Sequence, residues 1–246
     1  MTGHPLLRIC LWSGPRNVST ALMYAFARRP DTFAIDEPLY GHYLRVSGAN
    51  HPGAAEIMAA MDCDARTVIS EVILGRHERP ILFLKSMTHH LVELDWAFMA
   101  HTANVLLIRD PVEMLPSLAQ VLERPTLRDT GYKKQVTLYQ YLQELGQDPP
   151  ILAARELLLN PAGVLGQLCQ RLDIEFEPDM LHWPAGPKYA DGVWASYWYG
   201  NVHRSTGFQP YRPKTSPFPE ALRPLLAECR PYYDRLYDLA IKAPLG

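Results

Sequence analysis

Short apolar runs and helical apolar spacings alternate along this chain. Leu7 to Trp12 is a β-rich run short enough for a buried strand. After the polar stretch S-G-P-R-N-V-S-T (Ser13 to Thr20), apolar positions fall at Ala21, Leu22, Ala25 and Phe26, the pair-and-gap spacing of a helix. Arg28-Arg29-Pro30-Asp31 stops that helix, and Thr32 to Ile35 predicts a second strand ending in Asp36-Glu37-Pro38. Ile81 to Leu84, Asn104 to Ile108 and Ile151 to Ala154 are compact apolar runs of the kind buried in parallel sheets. Between them the spacing predicts helices over Ala54 to Met61, Ala65 to Leu74, a segment carrying Leu91, Leu94, Trp96 and Phe98, the stretch from Val112 to Leu122, Gly131 to Leu145 and Ala162 to Leu172. Tyr40 to Pro52 reads as a loop able to cover a substrate, Arg155 to Pro161 as a short turn, and Pro178 to Pro219 as an irregular lid crowded with prolines and aromatics. A last helix runs from Glu220 to about Leu239. Five strands alternating with helices predict an α/β fold, a three-layer doubly wound parallel sheet. The expected organisation is one domain over 1–246: a core over 1–175, a lid over 176–219 and a C-terminal helix over 220–246.

The candidate chemistry sits at strand ends. A strand, a tight turn and a helix leave backbone N–H groups without intrahelical partners, and the helix dipole adds to them, so the Ser13 to Thr20 turn suits a phosphate or sulfate. Gly14 and Pro15 shape the turn, Arg16 adds a permanent cation, and Ser19 and Thr20 add hydroxyl donors. An ordinary βα turn with a capping serine has the same outline, and no lysine precedes the terminal Ser or Thr as the Walker pattern demands. Asp36 and Glu37 end one strand and Lys85-Ser86-Met87-Thr88-His89-His90 follows another. In open α/β sheets ligands collect beyond those ends. At Arg109-Asp110-Pro111, Asp110 is the expected N-cap, Pro111 the first helical residue and Glu113 the capping-box acid. Pro116 predicts a kink or break near Leu115, with Ser117 held at the irregularity.

The chain has 246 residues, 48% hydrophobic and 20% charged, enough to bury a core without a partner. With 24 basic against 26 acidic side chains the formal net charge is −2, which argues against a nucleic-acid or membrane-surface protein. The start M-T-G-H-P-L-L-R has no long apolar core, and no run approaches a bilayer span, so the expectation is a soluble, unprocessed, cytoplasmic protein. Cys10, Cys63, Cys169 and Cys229 are far apart and form no C-x-x-C pair, which predicts reduced thiols. No metal is expected, because carboxylates are not grouped at ligand spacing near the turn.

Four collinear stretches resemble the sulfotransferase family. P-R-N-V-S-T-A (Pro15 to Ala21) is similar to its 5′-phosphosulfate loop, with Arg16 where most members have lysine and Val18 where glycine is usual. I-R-D-P-V-E-M-L-P-S (Ile108 to Ser117) resembles its 3′-phosphate motif, an arginine before Asn/Asp-Pro and a serine eight positions on. L-K-S-M-T-H (Leu84 to His89) looks like its strand-end lysine, and R-E-L-L-L-N-P with L-C-Q-R-L like its late strand and helix. The chain is especially similar to small bacterial sulfotransferase-like proteins. The resemblance implies a P-loop NTPase-like fold and 3′-phosphoadenosine 5′-phosphosulfate (PAPS) as donor, with adenosine 3′,5′-bisphosphate (PAP) as product. Gly14, Pro15, Arg16, Asn17, Val18, Ser19 and Thr20 would hold the 5′ end, Arg109 and Ser117 the 3′-phosphate, and Arg204, Ser205, Thr206 and Gly207 a lid contact to it. A β-branched Val18 cannot take the positive φ of a glycine, so the loop must enter the helix by ordinary geometry.

Arg16 and Lys85 are the candidates for stabilising charge on the bridging oxygen. Glu37 is the preferred base, by resemblance to carbohydrate and protein sulfotransferases, and His89 its alternative, by resemblance to the small-molecule branch, although His89 is expected to start a helix. The aromatic cluster from Trp194 to Tyr199 reads as lid packing rather than an acceptor pocket. The expected partner is a small-molecule acceptor bearing a hydroxyl or amine, without nucleic acid or membrane, and a homo-oligomer stays open. The rival readings are a non-catalytic nucleotide-binding protein on the same fold and, behind it, a P-loop kinase.

Overall fold

A computed structural model describes residues 6–244. Met1 to Pro5, on which much of the reading of an unprocessed start rests, lie outside the described residues. The strands are β1 (Leu7–Ser13), β2 (Thr32–Asp36), β3 (Ile81–Met87), β4 (Ala103–Ile108) and β5 (Ile151–Ala153). The α-helices are α1 (Ser19–Ala27), α2 (Tyr40–Ser47), α3 (Ala54–Ala60), α4 (Ala65–Thr67), α5 (Pro111–Leu118), α6 (Leu127–Thr130), α7 (Tyr132–Glu144), α8 (Ala154–Leu159), α9 (Pro161–Arg171), α10 (Ala195–Trp198) and α11 (Arg223–Leu239). The strands form one five-stranded sheet in the order β2-β3-β1-β4-β5, the α/β parallel architecture expected.

The chain divides into two compact units. The first holds residues 1–11, 19–104 and 177–208, and the second 12–18, 105–176 and 209–246. The stretch expected as a lid is therefore shared out, its first part in one unit and its last part in the other.

In the first unit β2 and β3 pair in parallel, Asp36 opposite Lys85. Against them α1 buries Leu22, Met23, Tyr24, Ala25 and Phe26, and Phe26 stacks on Phe83 at 4.1 Å. An apolar ring of that size contributes about 2–3 kcal/mol on burial. β3 runs three residues beyond the expected strand, all seven positions buried, so Lys85 lies inside the strand instead of following it. Tyr40 to Pro52 is not a loop over its first half. It forms α2, which buries Tyr40, Gly41, His42 and Leu44 and closes on left-handed Gly48. A side chain at Gly41 would press on Met61 and Cys63 at 3.1 Å, so its absence lets this helix approach. The expected helix through Leu91 to Phe98 is replaced by two 3₁₀ turns, Thr88–His90 and Ala97–His101. Glu93 sits there at a φ of 45°, which no helix interior tolerates. Beyond α4 the expected helix loosens into a π-type turn over Val68–Ile73.

In the second unit β4 pairs with β5, Leu106 opposite Ile151. At the junction before α5, Asp110 Oδ1 accepts the Val112 N–H at 2.8 Å and Pro111 opens the helix as expected, whereas Glu113 does not serve as the capping-box acid: its carboxylate is taken by Arg109 and Tyr211. The helix is not interrupted at Leu115. It carries Pro116 within it and ends at Leu118. Arg155 to Leu159, expected as a turn, belongs to α8, after which Asn160 caps α9 through the Gly163 N–H at 2.9 Å. Helix α11 is fastened by Arg230, whose guanidinium donates to Asp110 at 3.1 and 3.3 Å.

Candidate functional site

The second unit carries the turn after β1. Arg16 takes the left-handed backbone conformation, φ 53°, at the place where its charge is presented. An L-residue is held there only by surrounding bonds, since the conformation costs on the order of 1 kcal/mol. Those bonds are present. Arg109 Nη1 donates to the Arg16 carbonyl at 2.8 Å, Asn17 Nδ2 donates to the Leu107 carbonyl at 3.1 Å, and the Val18 N–H donates to Asn17 Oδ1 at 2.9 Å. Gly14 allows close approach: a Cβ there would meet the Thr130 carbonyl at 3.2 Å. Buried Gln135 supports the strand end by donating to the Leu107 carbonyl at 3.0 Å.

On this frame Arg16 Nε donates to Ser117 Oγ at 2.9 Å, across 101 residues of sequence. Arg109 Nε reaches Glu113 Oε2 at 3.3 Å, and Tyr132 donates to the Arg109 carbonyl at 2.5 Å. Lys214, which carried no signal in the sequence, donates to the Glu113 carbonyl at 2.8 Å, and Tyr211 donates to Glu113 Oε1 at 2.6 Å. Partial burial, with Arg109 and Arg16 close by, lowers the Lys214 pKa below the ordinary lysine range, against an upward pull from Glu113. Arg109 and Lys214 thus meet at Glu113, one at its carboxylate and one at its backbone carbonyl, and Arg16 lies close to Lys214. An excess of cations beside a polar turn is the electrostatic complement of a multiply charged anion, so these residues fit a phosphorylated nucleotide. Ser19 and Thr20 continue directly from the turn as the first residues of α1, Ser19 buried and Thr20 partly so.

The first unit carries a different group. Lys85, 2% exposed, lies between two carboxylates: its Nζ is 2.9 Å from Asp36 Oδ1 and bonds Glu37 Oε1 as well. It also donates to the Tyr199 hydroxyl at 2.7 Å, and that hydroxyl donates to Asp36 Oδ2 at 2.6 Å. Glu37, at a φ of 39°, turns the chain out of β2. Burial raises its carboxyl from 4.5 to about 7, with Lys85 pulling it back and Asp36 pushing it further up. The two carboxylates hold the Lys85 ammonium well above the ordinary lysine range against burial, so it stays charged. His90 Nε2 is 3.8 Å from Glu37 Oε2, and burial first, then neighbouring imidazoles and Lys85, keep His90 neutral. His89 does not start a helix. It lies in a single 3₁₀ turn, half-buried, its ring 4.6 Å from His90 and 5.2 Å from Tyr43.

Arg204, Ser205, Thr206 and Gly207 lie in the first unit. Arg204 donates to Asn201 Oδ1 at 2.6 Å, Ser205 Oγ accepts from Trp183 Nε1 at 3.1 Å, the Thr206 carbonyl accepts the Trp183 N–H at 3.1 Å, and Gly207 bridges to His182. The Trp194 to Tyr199 segment, read as packing, does pack, Trp194 standing edge-on to Tyr40 at 5.1 Å. It also delivers the Tyr199 hydroxyl to Lys85. A tyrosine in an aromatic run gives no sequence sign of which ring carries a polar contact.

The sulfotransferase domain model matches residues 7–240. The chain belongs to the sulfotransferase family. Among curated proteins it is 36% identical over 226 residues to branched-chain-amino-acid aminotransferase-like protein 2 of Arabidopsis thaliana, and 37% identical over 226 residues to protein 1 of the same name. Each alignment takes in 92% of this chain but 40% of the plant protein, so the chain spans well under half the length of those relatives. Among solved structures, the sulfotransferase domain from the Synechococcus PCC 7002 olefin synthase aligns over 92% of this chain and 94% of its own, with a TM-score of 0.52 at 16% identity, a likeness of fold. No helix among the described residues is long and apolar enough to cross a membrane.

Proposed function

We propose that this sulfotransferase moves the sulfuryl group of 3′-phosphoadenosine 5′-phosphosulfate to a hydroxyl or amine of a small acceptor. The observation that carries the reading is the joining of the two motif arginines in one bonded set: Arg16 on Ser117, and Arg109 on the Arg16 carbonyl. Arg16, Asn17, Ser19 and Thr20 are assigned to the 5′-phosphosulfate, with Gly14, Pro15 and Val18 shaping the turn. Arg109, Ser117 and Lys214 are assigned to the 3′-phosphate. A guanidinium fork matches a phosphate's oxygens in a way a point charge does not.

Sulfuryl transfer asks chiefly for alignment and for charge stabilisation on the oxygen that leaves. In the proposed step Glu37 takes the acceptor's proton as the acceptor oxygen or nitrogen bonds sulfur. The bond from sulfur to the bridging oxygen breaks and adenosine 3′,5′-bisphosphate departs. Arg16 and Lys85 stabilise the charge that develops on that oxygen. A carboxyl at about 7 suits a base working near neutrality, and the neighbouring ammonium favours its ionised form. His89 is the alternative base. The four cysteines are free thiols, which suits a reducing compartment such as the cytoplasm.

The test incubates the protein with donor labelled in the sulfuryl group and an acceptor panel of alcohols, phenols and amines, and follows labelled product and adenosine 3′,5′-bisphosphate. Wild type and His89→Ala are expected to turn over, Glu37→Gln to lose nearly all turnover. Full activity in Glu37→Gln removes Glu37 as base, and activity lost only in His89→Ala moves the role there.

A further inference from the structure

Tyr199 has no part in the reaction as assigned, yet its hydroxyl uses every hydrogen-bonding position it has. It accepts from Lys85 Nζ at 2.7 Å and from Trp194 Nε1 at 3.3 Å, and it donates to Asp36 Oδ2 at 2.6 Å. The ring is 6% exposed and its backbone is fixed, the Tyr199 N–H donating to the Ala195 carbonyl at 2.8 Å. The ammonium opposite donates to Glu37 and to Tyr199, and it is ion-paired with Asp36 Oδ1 at 2.9 Å.

We propose that Tyr199 is a positioning residue for the Glu37–Lys85 pair, its hydroxyl setting how the Lys85 ammonium is divided between Asp36 and Glu37. The donation to Asp36 Oδ2 meets part of that carboxylate's charge and weakens its hold on Lys85. The acceptance from Nζ holds the ammonium at a point where Glu37 shares it. Burial and the two carboxylates keep the tyrosine hydroxyl protonated despite Lys85, so it donates throughout the working pH range. Without the hydroxyl, Asp36 draws the ammonium to itself and away from Glu37. That change raises the Glu37 carboxyl. The titratable and charged groups facing Glu37 are Lys85 from β3, Asp36 from β2, His90 from the turn after β3, Tyr40 from α2 and Tyr199 itself. His90 stays neutral, and among these groups Asp36 and Lys85 are the charged ones through which Tyr199 acts. The catalytic consequence rests on the reading of Glu37 as base; the division of the ammonium does not.

The test follows the Glu37 side-chain carboxyl by carbon-13 NMR of the full chain labelled at glutamate, the resonance assigned by its disappearance in Glu37→Gln. Wild type is expected to titrate near 7. Tyr199→Phe keeps the ring and its packing and is expected to raise that midpoint by roughly one pH unit, the scale of one charge-assisted hydrogen bond acting at second hand. Asp36→Asn gives Lys85 wholly to Glu37, lowers the midpoint, and at least halves the effect of adding Tyr199→Phe. A Tyr199→Phe midpoint within about 0.2 of wild type, or an equal shift with and without Asp36, overturns the proposal. The acid limb of donor turnover is read in parallel. If the carboxyl moves and that limb does not, the positioning stands and the assignment of Glu37 as base falls. If neither moves while Glu37→Gln is inactive, the positioning falls and the base assignment stands.

Discussion

Replacing Lys85 by methionine gives the sharpest view of the buried charge group, because it removes one cation and leaves two carboxylates. Asp36 and Glu37 are 5% and 8% exposed, and Lys85 is the cation in contact with both. Methionine fills the stem of the lysine, so the packing loss is small and the effect is electrostatic. Removing one partner from a buried ion pair costs about 3–5 kcal/mol. With two carboxylates left behind, the upper half of that range is expected at pH 8.5. The direction with pH follows from where the protons sit. In the wild type Glu37 already binds a proton more tightly folded than unfolded, so its own cost grows as pH rises from 4.5 to about 7 and is constant above. In Lys85→Met Glu37 loses the charge that pulled its carboxyl down, its folded value rises further, and the native state takes up a proton that the unfolded state does not hold. The added penalty is therefore largest above neutrality and shrinks as pH falls toward the ordinary carboxylate range. Lys85 itself, held well above 10.5, stays charged throughout this window and contributes no slope of its own. Urea unfolding at pH 5.5 and 8.5, read by tryptophan fluorescence, checks both size and slope. A penalty under about 1 kcal/mol at pH 8.5, or one equal at the two pH values, refutes the view of Lys85 as the compensating charge of a buried group.

Other outcomes follow from the same geometry. Turnover of wild type should rise through pH 7, because the base must be ionised and its carboxyl sits at about 7, and a profile flat from pH 5.5 to 8.5 would contradict this. Ser117→Ala removes the acceptor of the Arg16 guanidinium and is expected to weaken adenosine 3′,5′-bisphosphate binding by about 3–10-fold in calorimetry, the worth of one hydrogen bond. Lys214→Ala should weaken it by a similar factor and make the affinity less sensitive to salt, since one fewer cation contributes, while an unchanged salt dependence removes Lys214 from the site.

Much of the fold was legible because its strands are short, apolar and bounded by polar turns, and because Asp110-Pro111 announces its helix by capping chemistry. The strand, turn and helix around Arg16 were legible in outline, but the turn's geometry was not: Val18 correctly excluded a positive φ at its own position, and the left-handed residue proved to be Arg16, which no local pattern marks. Tyr40 to Ser47 failed as a loop prediction because glycine at 41 reads as a breaker, whereas here it serves close packing against Met61 and Cys63. The Leu91 to Phe98 segment failed in the opposite way, its apolar spacing overridden by the backbone turn at Glu93. Glu37 and Lys85 were singled out from their places at the ends of short apolar runs. Tyr199 and Lys214 were not, since each reaches its partner across roughly a hundred residues through segments without periodicity.

Arg16 and Arg109 are proposed together to hold a doubly phosphorylated nucleotide. Isothermal titration of the full chain with adenosine 3′,5′-bisphosphate, in parallel with ATP and magnesium, addresses it most directly. Saturable binding of the bisphosphate in preference to ATP is expected, weakened at least about tenfold by Arg16→Ala and by Arg109→Ala, the loss of one charged contact each. Affinity unmoved by both substitutions, or a preference for ATP with magnesium, would contradict it.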